Sequence, residues 1–176
     1  MLEKIKATAE FISKTTGFTP KTGIILGSGL GGLVKEIEIE KELNYADIPG
    51  FPVSTVKGHG NKLIFGTLNG VKVVAMQGRF HFYEGYSMQE VAMPVRVMKF
   101  LGIKNIILSN ASGGVNPKYK VGDLMILDDH INLMGTNPLI GPNNDDLGPR
   151  FPDMGEPYDK TMIKAAKAIA DKHGFT

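Results

Sequence analysis

Apolar positions follow two rhythms along the chain. Near the start, Leu2, Ile5, Ala9 and Ile12 recur at helical spacing with lysines and glutamates between them. That pattern predicts an amphipathic helix ending near Gly17. Short apolar runs follow, at residues 22–26, 53–56, 63–68, 71–76, 105–108 and 124–127. Runs of four to eight residues bounded by turn signals read as buried strands. Asn69-Gly70 lies between two of them, and such a pair is the strongest short hairpin signal. The run at 105–108 is too short for a helix and too apolar to be exposed, which predicts a central strand.

Polar punctuation places the helices. Residues 33–35 suit a brief helix after the glycines at 27–32. Ser87-Met88-Gln89-Glu90 has the form of a capping box. It predicts a helix through Phe100, with Pro94 in its first turns and Gly102 at its end. Residues 135–157 are rich in Pro, Gly, Asn and Asp, and a loop of that length is usually functional or disordered. Asp159 then caps a helix to about Lys172, with Met162, Ile163, Ala166 and Ile169 on one face. Gly174 suits a helix C-terminus, and Phe175-Thr176 resemble the start of a strand. Strands alternating with helices predict an α/β fold. The ending predicts a chain cut within an α/β unit, or else a last helix that packs as a terminal cap.

Composition narrows the classes. The 176 residues suit one domain. There is no cysteine, which excludes disulfides, thiolate metal sites and cysteine nucleophiles. A net charge of +2 without a basic stripe argues against nucleic acid as a partner. No signal peptide and no membrane-length apolar run stand in the sequence, so a soluble cytoplasmic protein is expected.

The candidate chemistry lies where apolar runs end. Gly27-Ser28-Gly29-Leu30-Gly31-Gly32 satisfies G-x-G-x-x-G after a strand. A dinucleotide site also needs a second strand ending in an acid about 20 positions on, and none is clear around residues 36–50. Two readings stay open: an anion nest with one hydroxyl, or a tight turn. His59 stands between Gly58 and Gly60, which lets a ligand come close, although a lone histidine is more often structural. Gln77-Gly78-Arg79-Phe80-His81-Phe82-Tyr83-Glu84-Gly85-Tyr86 packs a cation, an imidazole, a phenol and a carboxylate into one loop. Arginine offers a planar fork suited to phosphate, while an Arg79–Glu84 pair in a packed turn is the plainer alternative. Asn110-Ala111-Ser112-Gly113-Gly114 permits backbone approach to a ligand, or simply a tight turn. Asp128, Asp129 and His130 are consecutive, so alternate side chains diverge and no metal set is expected. Ser28, His59, Arg79 with His81, and the Ala111 backbone are all donors. Converging donors suit an oxyanion such as inorganic phosphate, with Phe82 and Tyr83 beside a flatter group such as a sugar.

These segments, in this order, resemble the trimeric purine nucleoside phosphorylases. Gly58-His59-Gly60, Asp129-His130-Ile131-Asn132-Leu133, Asn137-Pro138-Leu139-Ile140-Gly141-Pro142-Asn143 and Arg150-Phe151-Pro152 extend the likeness over almost the whole chain. The resemblance implies a mixed central β-sheet flanked by helices. It implies reversible phosphorolysis of purine ribonucleosides or deoxyribonucleosides to free base and pentose 1-phosphate, in nucleoside salvage. It places Ser28, His59, Arg79, Phe80, His81 and the Ala111 backbone around phosphate, with Arg79 and His81 central to catalysis. Tyr83 would touch the ribose, and Phe151 would reach the sugar of a neighbouring subunit in a homotrimer. Glu84 and Asn110 would support the others. No metal and no cofactor are implied, only phosphate as co-substrate, and no membrane partner.

Two departures stand out. Ser112 replaces an alanine common in the family. Relatives also run well past residue 176, and that further part holds the purine, so the choice between 6-oxo and 6-amino purines is not readable here. One domain over residues 1–176 lacking its C-terminal part is therefore expected, with little turnover by this stretch alone. An anion-binding fragment, a 5′-methylthioadenosine phosphorylase and, more remotely, a nucleotide-binding oxidoreductase are the competing expectations.

Overall fold

The computed structural model describes residues 1–53 and 60–175. The chain forms two compact units, Met1–Ala111 and Ser112–Thr176.

The first unit is a five-stranded sheet with helices packed against it. Helix α1 (Leu2–Thr16) buries Ile5, Ala9 and Ile12, as its spacing predicts. Strand β1 (Thr22–Leu26) leads through a 3-10 turn at Gly31–Glu36 to β2 (Glu38–Asn44). Strands β3 (Lys62–Leu68) and β4 (Val71–Gln77) form the expected hairpin. Its turn needs two left-handed residues, which Asn69 (φ 48°) and Gly70 (φ 79°) supply. Helices α2 (Met88–Val91) and α3 (Met93–Phe100) precede β5 (Asn105–Leu108). The sheet order is β2-β3-β4-β1-β5. Strands β2, β3 and β4 are antiparallel neighbours, whereas β1 runs parallel to both β4 and β5.

Alternation along β3 and β4 serves both sheet faces. Leu63, Phe65, Val74 and Met76 join Ile5, Ile12, Val97 and Met98 in the larger core. Ile64, Val73 and Ala75 join Ile24, Leu26 and Ile37 in a smaller one.

Tyr45 links this core to the loop after β4. It is wholly buried, and its hydroxyl donates to the Gly78 carbonyl at 2.6 Å. Its ring packs on Phe51 and Phe80 at 5.1 and 5.3 Å. Burial pushes the phenol pKa well above its ordinary value, so the hydroxyl stays a donor. Tyr45→Phe leaves that carbonyl without its partner. An expected loss of about 1–3 kcal/mol is measurable by urea unfolding.

The structure corrects four expectations. Strand β2 was not legible as a strand, because an edge strand carrying Glu38, Glu40, Lys41 and Glu42 lacks an apolar run. It lies antiparallel to β3 and away from β1, so the acid-ended strand of a dinucleotide unit is not found beside β1. The single helix expected through Phe100 breaks at Ala92. Pro94 has no N–H to give the Glu90 carbonyl, so a second helix starts with proline in its first positions. The capping box itself is present, and Ser87's hydrogen bonds hold the Glu90 carboxyl below its usual pKa. Strand β5 is an edge, not a centre: only β1 pairs with it among the described residues, and Ile107 and Leu108 are 45% and 58% exposed. The strand expected at residues 53–56 lies largely outside the described residues.

The second unit is irregular up to α4 (Lys160–His173). The run at 124–127 forms no strand there and its side chains are exposed, a fourth correction. A strand exists only where a neighbour takes up its backbone groups, and none does so among the described residues. Side chains tie the loop locally. Asn132 and Asn137 accept from the N–H groups of Met134 and Leu139, and Arg150 donates to the carbonyls of Leu139 and Gly141. Asp159 caps α4 by accepting from the Met162 N–H at 2.8 Å.

Candidate active site

Parallel pairing of β4, β1 and β5 puts three carboxyl ends side by side. Leu26 is level with Gln77, and Ile25 with both Met76 and Leu108. The residues that follow are therefore Gly27-Ser28, Gly78-Arg79 and Ser109-Asn110-Ala111. Ligands of α/β sheets bind outside such strand ends. A shallow cavity of about 80 Å³ opens there, lined by Gly27, Ser28, Gly29, Gly31, Gly60, Gln77 and Gly78.

Arg79 and His81 form a fixed pair. Arg79 Nε donates to His81 Nε2 at 3.2 Å, and Nη1 donates to the Ser109 carbonyl at 2.8 Å. A guanidinium can only donate, so Nε2 is the acceptor and the imidazole proton sits on Nδ1. There it meets Glu84 Oε1 at 2.8 Å. The same oxygen accepts the His81 backbone N–H at 2.9 Å. Glu84's side chain is nearly buried, so the loop's one carboxylate is turned onto the histidine. The fixed positive charge of the loop is therefore the Arg79 guanidinium. Tyr83 stacks on the His81 ring, with centroids 4.6 Å apart and planes 17° off parallel, and stays 75% exposed. That leaves its ring and hydroxyl open to a ligand.

Several other expected residues are also placed. Ser28 is exposed at the tip of the glycine loop, and Ala111 is exposed beyond β5. Asn110 Nδ2 donates to the Ala111 carbonyl at 3.2 Å. Phe80's ring is buried against Tyr45, Phe51 and Tyr86, so its main chain is the part able to meet a ligand. His59 lies outside the described residues. Phe151 belongs to the second unit, where it is 87% exposed beneath the Arg150 guanidinium. His130 Nδ1 pairs with the Tyr158 hydroxyl at 3.1 Å. Sequence reasoning overlooked Ser109 and Tyr45, which hold Arg79 and Gly78 from 30 and 33 residues away. A hydroxyl at a strand end was the only signal for Ser109.

Comparison with known proteins agrees with this geometry. Residues 21–176 match the phosphorylase superfamily model. The chain is 59% identical over 170 residues to purine nucleoside phosphorylase 1 of Bacillus subtilis, covering 97% of this chain and 63% of that protein. It is 48% identical over 167 residues to the purine nucleoside phosphorylase of Rattus norvegicus, covering 93% and 58%. Isoform 2 of the Schistosoma mansoni enzyme, solved with cytosine and ribose-1-phosphate, superposes with a TM-score of 0.91 at 46% identity, over 98% of this chain and 62% of that one. The chain thus spans less than two thirds of the length of these relatives. The mixed sheet, the strand-end donors and these matches agree: the chain belongs to the phosphorylase superfamily.

Proposed function

We propose that the protein bearing this chain is a purine nucleoside phosphorylase. Phosphate attacks the anomeric carbon, the glycosidic bond breaks, and its electron pair leaves with the purine. The observation that carries this reading is the Arg79–His81–Glu84 arrangement beside Ser28 and Ala111, at the ends of parallel strands. Its relatives are named purine nucleoside phosphorylases, and one was solved with ribose-1-phosphate.

In this reading Ser28, His59, Arg79, His81 and the backbone at Phe80 and Ala111 hold phosphate. The Glu84 carboxylate against Nδ1 fixes the orientation of the His81 ring beside Arg79. Tyr83, stacked on that ring, lies along the ribose. The phosphate dianion then stabilises the oxocarbenium-like sugar. The protein contributes positioning and fixed charge rather than a covalent nucleophile. Phosphate is a co-substrate and no cofactor takes part. The protein works in the cytoplasm as a homotrimer, in which Phe151 of one copy covers the sugar of the next.

A substrate panel tests the proposal. Inosine, adenosine and 5′-methylthioadenosine are incubated with and without phosphate, and released base is quantified. Inosine cleavage that requires phosphate is expected. Cleavage that proceeds equally without phosphate overturns phosphorolysis, and preference for 5′-methylthioadenosine reassigns the substrate.

A further inference from the structure

We propose that Ser109 is a positioning residue that locks the three phosphate-binding strand ends into one geometry; this rests on the phosphorolysis reading above. Ser109 follows β5 directly and is half-buried. Its Oγ accepts the Gly27 N–H at 3.1 Å and donates to the Ile25 carbonyl at 3.2 Å. Its own N–H donates to that same carbonyl at 3.0 Å. Its carbonyl accepts Arg79 Nη1 at 2.8 Å. One residue thereby touches the end of β1 through its side chain and its N–H, and the loop after β4 through its carbonyl. It also leads into Asn110 and Ala111.

The contact with β1 is unusually close. A Cβ on Gly27 would lie 2.5 Å from the Ser109 carbonyl oxygen and 2.6 Å from Asn110 Cα, so only glycine fits. Gly27 is then pinned at both its polar groups. Its N–H goes to Ser109, and its carbonyl accepts from the Leu30 N–H at 3.1 Å. Ser28 lies on the turn that this pair of bonds closes. The hydroxyl that fixes Ser28 thus belongs to the residue whose carbonyl aims Arg79. Two donors from strands joined only through the sheet are set against each other by one serine. A methyl group in its place leaves the Gly27 N–H without that acceptor, and the spacing between Ser28 and Arg79 is no longer enforced.

The test is steady-state phosphorolysis of inosine with phosphate and nucleoside varied separately. Ser109→Ala is expected to raise the KM for phosphate on the order of tenfold, the cost of a lost partner for a half-buried amide, while the KM for inosine moves less than about twofold. Ser109→Thr keeps the hydroxyl and is expected to return the phosphate KM to near the parent value. A merely structural serine predicts a lower melting temperature with the phosphate KM unchanged, and that result overturns the inference. If Ser109→Ala does not fold, Ser109→Cys serves instead, because a thiol of similar size is a weaker acceptor. An unchanged phosphate KM there also overturns it. Parent protein that cleaves inosine without phosphate removes the functional reading itself, and with it this inference. Phosphate-dependent parent activity with an unaltered variant removes this inference alone.

Discussion

Arg79→Ala is expected to lower kcat/KM for phosphorolysis by about 10²–10³-fold, the range for removing one preorganised donor from a charge-stabilising site. The guanidinium does three things at once in this structure. It holds His81 Nε2, it anchors to the Ser109 carbonyl, and it supplies the fixed positive charge of the strand-end cluster. Alanine removes all of them, while Glu84 and Tyr83 still contact the His81 ring. Arg79→Lys is expected to recover little, because a single ammonium cannot reach two partners set at different angles. Initial rates with phosphate as the varied substrate read the effect, which falls on phosphate more than on nucleoside. A change below threefold would mean that Arg79 serves the fold and not the anion.

Phe65→Ala carries the largest expected cost to stability, about 3–5 kcal/mol. Phe65 is fully buried in the middle of β3 and meets Phe18 edge to face, with centroids 6.0 Å apart. The strands on either side are also filled: Val74 faces Phe65 across the β3–β4 ladder, and β2 runs along the other side. Close packing of that kind cannot collapse into the space an aromatic ring leaves. Domains are stable by only about 5–15 kcal/mol, so the variant is expected to unfold at much lower urea. A midpoint close to the parent's would place the centre of the core elsewhere.

Local signals carried most of the legible fold. Helix α1, the Asn69-Gly70 hairpin, the Ser87 capping box and the Asp159 cap each depend on residues a few positions apart, and each is present. The failures depend on partners far along the chain. Strand β2 reads as polar because, among the described residues, one of its sides has no neighbouring strand. Apolar content made residues 105–108 look central, yet edge or centre depends on which strand arrives beside them. The run at 124–127 shows the same gap, since a strand pattern without a partner makes no strand.

The site divides in the same way. Arg79, His81, Tyr83 and Glu84 were legible together because they share one loop, and the His81–Glu84 bond spans only three residues. The bonds that aim this loop, from Tyr45 to Gly78 and from Arg79 to Ser109, cross the sheet. No short motif records them. Phe80's ring lies in the aromatic core, which leaves its main chain as the part that borders the loop.

The central claim is that the strand-end donors present phosphate as the nucleophile. Its most direct test is phosphorus NMR of the protein with inosine and inorganic phosphate. The account predicts that the phosphate signal is converted, mole for mole with hypoxanthine, into that of ribose 1-phosphate. Release of hypoxanthine with free ribose and an unchanged phosphate signal would contradict it.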